Sequence, residues 1–227
     1  MADSYRLVRS ASTAADFHAR SVPEPARCEI WWHEVTAPAL VLGSTQSADA
    51  VDDEACRAAD IEVVRRRSGG GAVLLVPGSV TWIDVIVPAG SPGWADDIHA
   101  PMLWLGRHLA EVIGGLLPGR STRVHDGALV TTDWSSTVCF DGLGAGEVLL
   151  DGRKLVGISQ RRTRHAARLQ CCWYSEYDPT DLVGLLAPSR RPPAAGLAPV
   201  ATVQHSIAAR IPALLADTLA DTPSTRP

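Results

Sequence analysis

Two stretches decide the reading of this chain: Arg65-Arg66-Arg67-Ser68-Gly69-Gly70-Gly71-Ala72-Val73 and, farther on, Gly152-Arg153-Lys154-Leu155-Val156-Gly157-Ile158-Ser159-Gln160-Arg161-Arg162. The first lies between two apolar runs, Ile61–Arg66 and Ala72–Val76, both read as strands, Ile61–Arg66 as a buried one. Three consecutive glycines let a backbone approach a ligand closely and leave N–H groups for oxygen acceptors. The arginines either neutralise an anion or form a solvated face. The segment is neither a Walker loop nor a dinucleotide G-x-G-x-x-G. In the second stretch, Asp151-Gly152 suits a type I′ hairpin turn between Glu147–Leu150 and Lys154–Ser159. Strand alternation places Lys154, Val156 and Ile158 on one face. Lys154 is then either an edge residue reaching outward or a positioned charge. Gly157, inside a strand, suits the close approach of a ligand or another backbone.

Outward from these stretches, residues 8–20 read as an N-terminal helix, and Cys28–Val35 and Ala39–Gly43 as strands. Asp52–Asp60 reads as a short helix and Val80–Val87 as a strand after the Pro77-Gly78 turn. Ile98, Met102, Leu105, Leu109, Val112, Ile113 and Leu116 recur at helical spacing, which predicts a helix over 96–117. Residues 118–146, rich in Gly, Ser, Thr and Asp, give only weak strand signals. Ala167–Tyr174 is expected as a further strand and Asp178–Leu186 as a short capped helix. The expected organisation is one domain over 1–188, a Pro-rich linker over 189–199, an appended C-terminal helix over 200–221 (centred on Val203–Ala220) and a disordered tail over 222–227.

The chain's 227 residues, 46% of them hydrophobic, suffice for one sizeable core. A net charge of −4 excludes a general polyanion binder, so no nucleic acid partner is expected. No apolar run is long enough to span a bilayer, and residues 1–5 lack the plan of a signal peptide. With five cysteines and no close C-x-x-C pair, the expectation is a reduced, cytoplasmic protein away from membranes. The sequence contains no asparagine, and Lys154 is its only lysine. A lone lysine in an arginine-using chain is notable where a compact ammonium is needed.

Together the two stretches resemble the signatures R-R-x-[ST]-G-G-G-A-V and G-[RK]-K-x-x-G-x-[AS]-Q of the biotin/lipoate protein ligase superfamily, in its lipoate–protein ligase A and octanoyltransferase branch. The likeness runs over about residues 25–188. It implies an α+β fold with a central mixed, largely antiparallel sheet and flanking helices, and an acyl chain in an apolar tunnel beside the glycine loop. By the same resemblance Lys154 is the active lysine. Arg65 and Arg66 are the paired arginines, and Ser68, Gly69, Gly70, Gly71 and Ala72 form the ligand loop. Gly157, Ser159 and Gln160 belong to the second motif.

The chain departs from the ATP-dependent ligases in three places. Leu74-Leu75-Val76 and Gly78-Ser79 stand where those carry an aromatic-His-Asp and Gly-Asn. Thr137-Val138-Cys139-Phe140-Asp141-Gly142 is matched to their Asn-Asp region, and Gln170-Cys171-Cys172-Trp173 replaces their His-Gly-Thr. Cys139, fifteen residues before Lys154, instead resembles the nucleophile of the cysteine-dependent octanoyltransferases. A thiolate beside an ammonium attacks thioesters well, whereas the plain reading of Cys139 is a small buried hydrophobe. Cys28, Cys56, Cys171 and Cys172 are read as structural, and no metal site is expected.

The resemblance thus implies a protein-lipoylation acyltransferase that places an octanoyl or lipoyl group on a lysine of an acceptor domain. Acceptors would be of the glycine-cleavage H protein or 2-oxoacid dehydrogenase E2 type, with acyl carrier protein as a possible donor. Through a Cys139 thioester no cofactor is required. The alternatives are a ligase using ATP and Mg through lipoyl-adenylate, and a non-catalytic lipoyl-binding subunit.

Overall fold

Two packed sheets hold the site between them. The structure, a computed structural model, describes residues 4–220, so the expected tail lies outside the described residues. The elements are β1 (Arg6–Ser12), α1 (Ala14–Ala19), β2 (Glu29–Val35), β3 (Ala39–Leu42), α2 (Asp53–Ala58), β4 (Glu62–Arg65), β5 (Val73–Leu75), β6 (Val80–Pro88), α3 (Ala100–Leu116), β7 (Thr122–Val124), β8 (Val148–Leu150), β9 (Arg153–Arg162), β10 (Ala166–Tyr174), α4 (Pro179–Gly184), α5 (His205–Ala208) and α6 (Ile211–Ala220). The large sheet has the order β1-β2-β6-β10-β9-β8-β7 and the small one β4-β3-β5. Only β1–β2 and β3–β4 pair in parallel, so the fold is α+β with mixed, mainly antiparallel sheets.

Alternation along β6 and β10 divides the large sheet's two faces. Ile83, Val85, Leu169 and Trp173 point to one side, against Leu105, Leu109 and Ile113 of α3 and Ile211 and Leu215 of α6. Trp82 and Tyr174 point to the other, against Val41, Val73 and Leu75 of the small sheet and Phe17 of α1. The turn between β8 and β9 has positive φ at both central residues, 49° at Asp151 and 78° at Gly152, as a type I′ hairpin requires.

Several expectations are corrected. The first half of the expected helix over 8–20 is strand β1, which pairs with β2 from Arg6↔Glu29 to Ser12↔Val35. Helix begins only after Thr13, whose side chain accepts the Asp16 N–H. The long helix starts at Ala100 rather than 96, because the Asp97 carboxylate accepts the N–H groups of His99 and Ala100. Of β4 only Val64 is buried, since β4 is the edge of the small sheet. The expected C-terminal helix is two helices, α5 and α6. Pro212, which has no N–H to return to the carbonyl of residue 208, enters instead at the start of α6. α6 packs on α3 and on the β1–β2 side of the main core.

Candidate active site

Lys154 owes its position to an irregularity. Pairing runs Leu150↔Arg153 and Leu149↔Lys154, then jumps to Val148↔Val156, leaving Leu155 as an extra residue on β9. Leu155 and Val156 therefore both enter the helix-side core. Lys154 turns to the opposite face, toward Gly157 and the ring of Phe140, and not with Val156 and Ile158 as simple alternation predicts. There it is 6% exposed. Its Nζ lies 2.7 Å from Glu147 Oε2 and donates to the carbonyls of Cys139 at 3.0 Å and Gly142 at 2.9 Å. All three ammonium hydrogens are thus taken. Burial is the largest single effect and opposes the charge, but Glu147, together with Cys139 and Cys172, more than offsets it and holds the Lys154 pKa above its ordinary value. Glu147 is itself fixed by the N–H groups of Gly144 at 2.8 Å and Ile158 at 3.1 Å.

Cys139 begins a 3-10 turn, Cys139–Asp141, laid against the glycine loop. The Ala72 N–H donates to Thr137 O at 2.7 Å and the Cys139 N–H to Ala72 O at 3.0 Å. This closeness explains the glycines. A Cβ at Gly71 would lie 2.6 Å from Val138 C and 2.7 Å from Cys139 N, while Gly70 has φ +97°. Gly69 faces open space. From behind, the Asp141 carboxylate accepts the Thr132 hydroxyl and, at 2.6 Å, the Ala198 N–H. The Ala201 N–H donates to Lys154 O at 2.9 Å.

The paired arginines hold backbone. Arg66, buried, donates to Gly69 O and Gly71 O, both at 2.8 Å from Nη2, and that nitrogen lies 4.0 Å from Cys139 Sγ. Arg65 donates to Gly43 O at 2.9 Å and to Gln46 O. With the loop carbonyls turned to Arg66, the N–H groups of Gly69, Gly70 and Gly71 have no acceptor among the described residues. Ser68 Oγ meets Ser159 Oγ at 3.1 Å and Gln170 Oε1 at 3.4 Å, which joins the two motifs across the interior. Ala72 lies in the core between the small sheet and α4. Gln160 donates to Ile98 O at 3.1 Å and does not join the Ser68 cluster.

A narrow, mainly apolar cavity opens between the sheets. Val41, Val73 and Leu75 form its small-sheet wall, Gly157, Cys172 and Trp82 its large-sheet wall, and Cys139 and Arg66 one flank. Leu75, at a position where the ligases carry a polar residue, is part of that apolar wall. Burial, with Cys139 nearby, pushes the Cys172 thiol up to about 12. Cys139 is only partly buried and lines the cavity. The arrangement suits an apolar chain with its reacting carbon at Cys139, beside free backbone donors. Among the described residues no three His, Cys, Asp or Glu side chains converge on one point. The nearest carboxylates, Glu147 and Asp141, are committed to Lys154 and to N–H and O–H donors, so this donor set does not fit a Mg site.

Three site residues are absent from the sequence reading: Glu147, His18 and Trp82. Glu147 sits at the start of a strand of the recognised hairpin, and its spacing to the sole lysine is the only signal it carries. His18 and Trp82 are brought to the cavity purely by tertiary packing.

The model of the lipoyl protein ligase A/B catalytic domain matches residues 16–216. No match was found among curated proteins. Among solved structures, protein Ta0514 from T. acidophilum with bound lipoic acid superposes with a TM-score of 0.64 at 18% identity, covering 96% of this chain and 86% of the other. Lipoate-protein ligase A bound with ATP gives 0.63 and 18%, covering 96% and 86%. A bi-partite lipoate protein ligase from Thermoplasma acidophilum, studied with its E2 lipoyl domain, gives 0.63 and 16%, covering 95% and 84%. At these identities the structural likeness is one of fold.

Proposed function

Because the chain belongs to the lipoyl protein ligase A/B catalytic-domain family, we propose that it is an acyltransferase of protein lipoylation working through a thioester on Cys139. The observation that carries this reading is the place of Cys139. Cys139 lines an apolar cavity on a turn braced by Lys154, with its sulfur 4.0 Å from the Arg66 guanidinium. The Cys139 thiolate attacks the carbonyl of an octanoyl or lipoyl thioester, forming the new S–acyl bond. The carbon–sulfur bond to the donor breaks, and the donor leaves as a thiolate that takes up a proton from solvent. The N–H groups of Gly69–Gly71, on the loop packed against the Cys139 turn and without acceptors among the described residues, are the candidate donors to the developing oxyanion. The amine of an acceptor lysine, having lost its proton to solvent, then attacks the acyl-enzyme and expels Cys139 as thiolate, leaving the acyl group in amide linkage.

Lys154 is a positioning residue here. With its three hydrogens engaged it holds Cys139 and Gly142 in place and keeps a positive charge near the sulfur. The acceptors are lipoyl-type domains, by the family and by the neighbour studied with its E2 lipoyl domain. Gly157 and Ser159 line the acyl pocket, and Arg65, Ser68 and Ala72 hold its frame, while Gln160 bonds away from it to Ile98 O.

The second reading, an ATP-dependent ligase, is favoured by the neighbour bound with ATP. The test is incubation with an octanoyl thioester followed by mass spectrometry. A hydroxylamine-labile adduct on Cys139, lost with transfer in Cys139→Ser, is expected. An unmodified Cys139 in a protein that makes lipoyl-adenylate from lipoate and Mg-ATP overturns the reading.

A further inference from the structure

The cavity has a far end, and two residues close it. The register pairs Gly157 with Cys172 and Cys172 with Trp82, so these three form a row across β9, β10 and β6 on the cavity face. Two inter-strand spacings of about 4.8 Å each separate the Cys139 end from Trp82, roughly the extended length of an eight-carbon chain. At that point the His18 ring lies against Trp82, with centroids 4.6 Å apart. Beyond His18 lies a second, open hollow on the outer surface, between α1 and β4, lined by Ala15, Val63, Val64 and Arg67 among others. His18 lines both spaces and is the partition between them.

The partition is anchored by one buried carboxylate. The Trp82 Nε1–H donates to Asp84 Oδ1 at 2.9 Å, and Arg168 Nε donates to Asp84 Oδ2 at 2.7 Å. The same guanidinium donates to Phe17 O at 2.7 Å and Arg20 O at 2.6 Å, gripping the C-terminal end of α1, which carries His18. Both halves of the wall are thus tied to Asp84. Burial holds the His18 pKa down at about 4, so a neutral ring meets the chain at pH 7.

We propose that His18, backed by Trp82, is the chain-length stop of the acyl cavity, admitting about eight carbons and turning back longer chains. The inference rests on the acyl-cavity reading above and adds its length selectivity. The test measures binding of free saturated fatty acids of six to fourteen carbons to the full chain by calorimetry at pH 7. The wild type should bind best near eight carbons, with the twelve-carbon acid at least about tenfold weaker. His18→Ala should join the two hollows and bring the twelve-carbon acid to within about threefold of the eight-carbon one. Trp82→Phe, monitored for an intact melting transition, should move the optimum the same way by a smaller step. Unchanged length profiles in folded variants overturn the stop while leaving the acyl cavity standing. A wild type that binds no acid of the series defeats the acyl cavity, and the stop with it.

Discussion

Replacing Glu147 by Gln keeps the side-chain volume and removes one buried charge. Glu147 and Lys154 are each about 6% exposed at the side chain, and 2.7 Å separates their charged atoms. The glutamine oxygen can still serve one of the two N–H groups that Glu147 accepts, from Gly144 or Ile158. Its NH₂ must then face the other N–H or the ammonium, donor against donor. Leaving Lys154 charged and unpaired in this setting costs about 3–5 kcal/mol. That is a large share of the roughly 5–15 kcal/mol that holds a domain folded. With an m-value near 3 kcal/mol per molar, the urea midpoint should fall by about 1–1.7 M. Removing the charge as well, in Glu147→Gln with Lys154→Met, should recover most of that loss while abolishing transfer. The pH dependence has a definite sign. Lys154 is raised above its ordinary 10.5 in the folded state, so the pair's contribution is full below that value and is lost as pH rises through the raised one. A loss under about 1 kcal/mol in the single variant would refute Glu147 as the counter-charge that keeps a buried Lys154 ionised.

Further outcomes follow from the loop and from His18. Gly69→Ala should cost under about 1 kcal/mol because its Cβ meets nothing within 4 Å. Gly71→Ala should cost more than about 2 kcal/mol and displace the Cys139 turn. Paired urea melts with an acyl-transfer assay separate the two, and equal losses would show that the loop is not packed on that turn. The His18 pKa is depressed from 6.5 to about 4, so stability is full above 6.5 and falls as pH drops toward 4, by about 2–3 kcal/mol. Urea melts at pH 7 and 4.5 should show that slope in the wild type and not in His18→Gln. An identical slope in both would place the acid-sensitive group elsewhere.

The residues that chemistry fixes locally were legible in the sequence. Asp151-Gly152 dictates its turn, the glycine triplet marks a close backbone approach, and the apolar runs mark strands. What could not be read depends on pairing partners. One extra residue opposite Leu149 turns Lys154 to the other face, and no period in the sequence announces a bulge. Arg66 carries the composition of an anion site, yet the nearest oxygens it finds are carbonyls of its own loop. Residues 6–12 alternate weakly and become strand because β2 offers a parallel partner. Glu147 and His18 matter through neighbours far along the chain, which only the folded arrangement supplies.

The bonds from residues 198–201 to Asp141 and Lys154 also bear on how the protein is made. A nascent chain elongates at about 5–20 residues per second, so several seconds pass between the synthesis of Lys154 and that of Ala201. Until residues 198–201 are added, the Cys139 turn and Lys154 lack the segment that braces them, and the core lacks its α6 face. The site is therefore assembled last, and a slow or stalled ribosome prolongs a state with exposed apolar surface and an unshielded thiol. Such a state is a natural client for chaperones during translation.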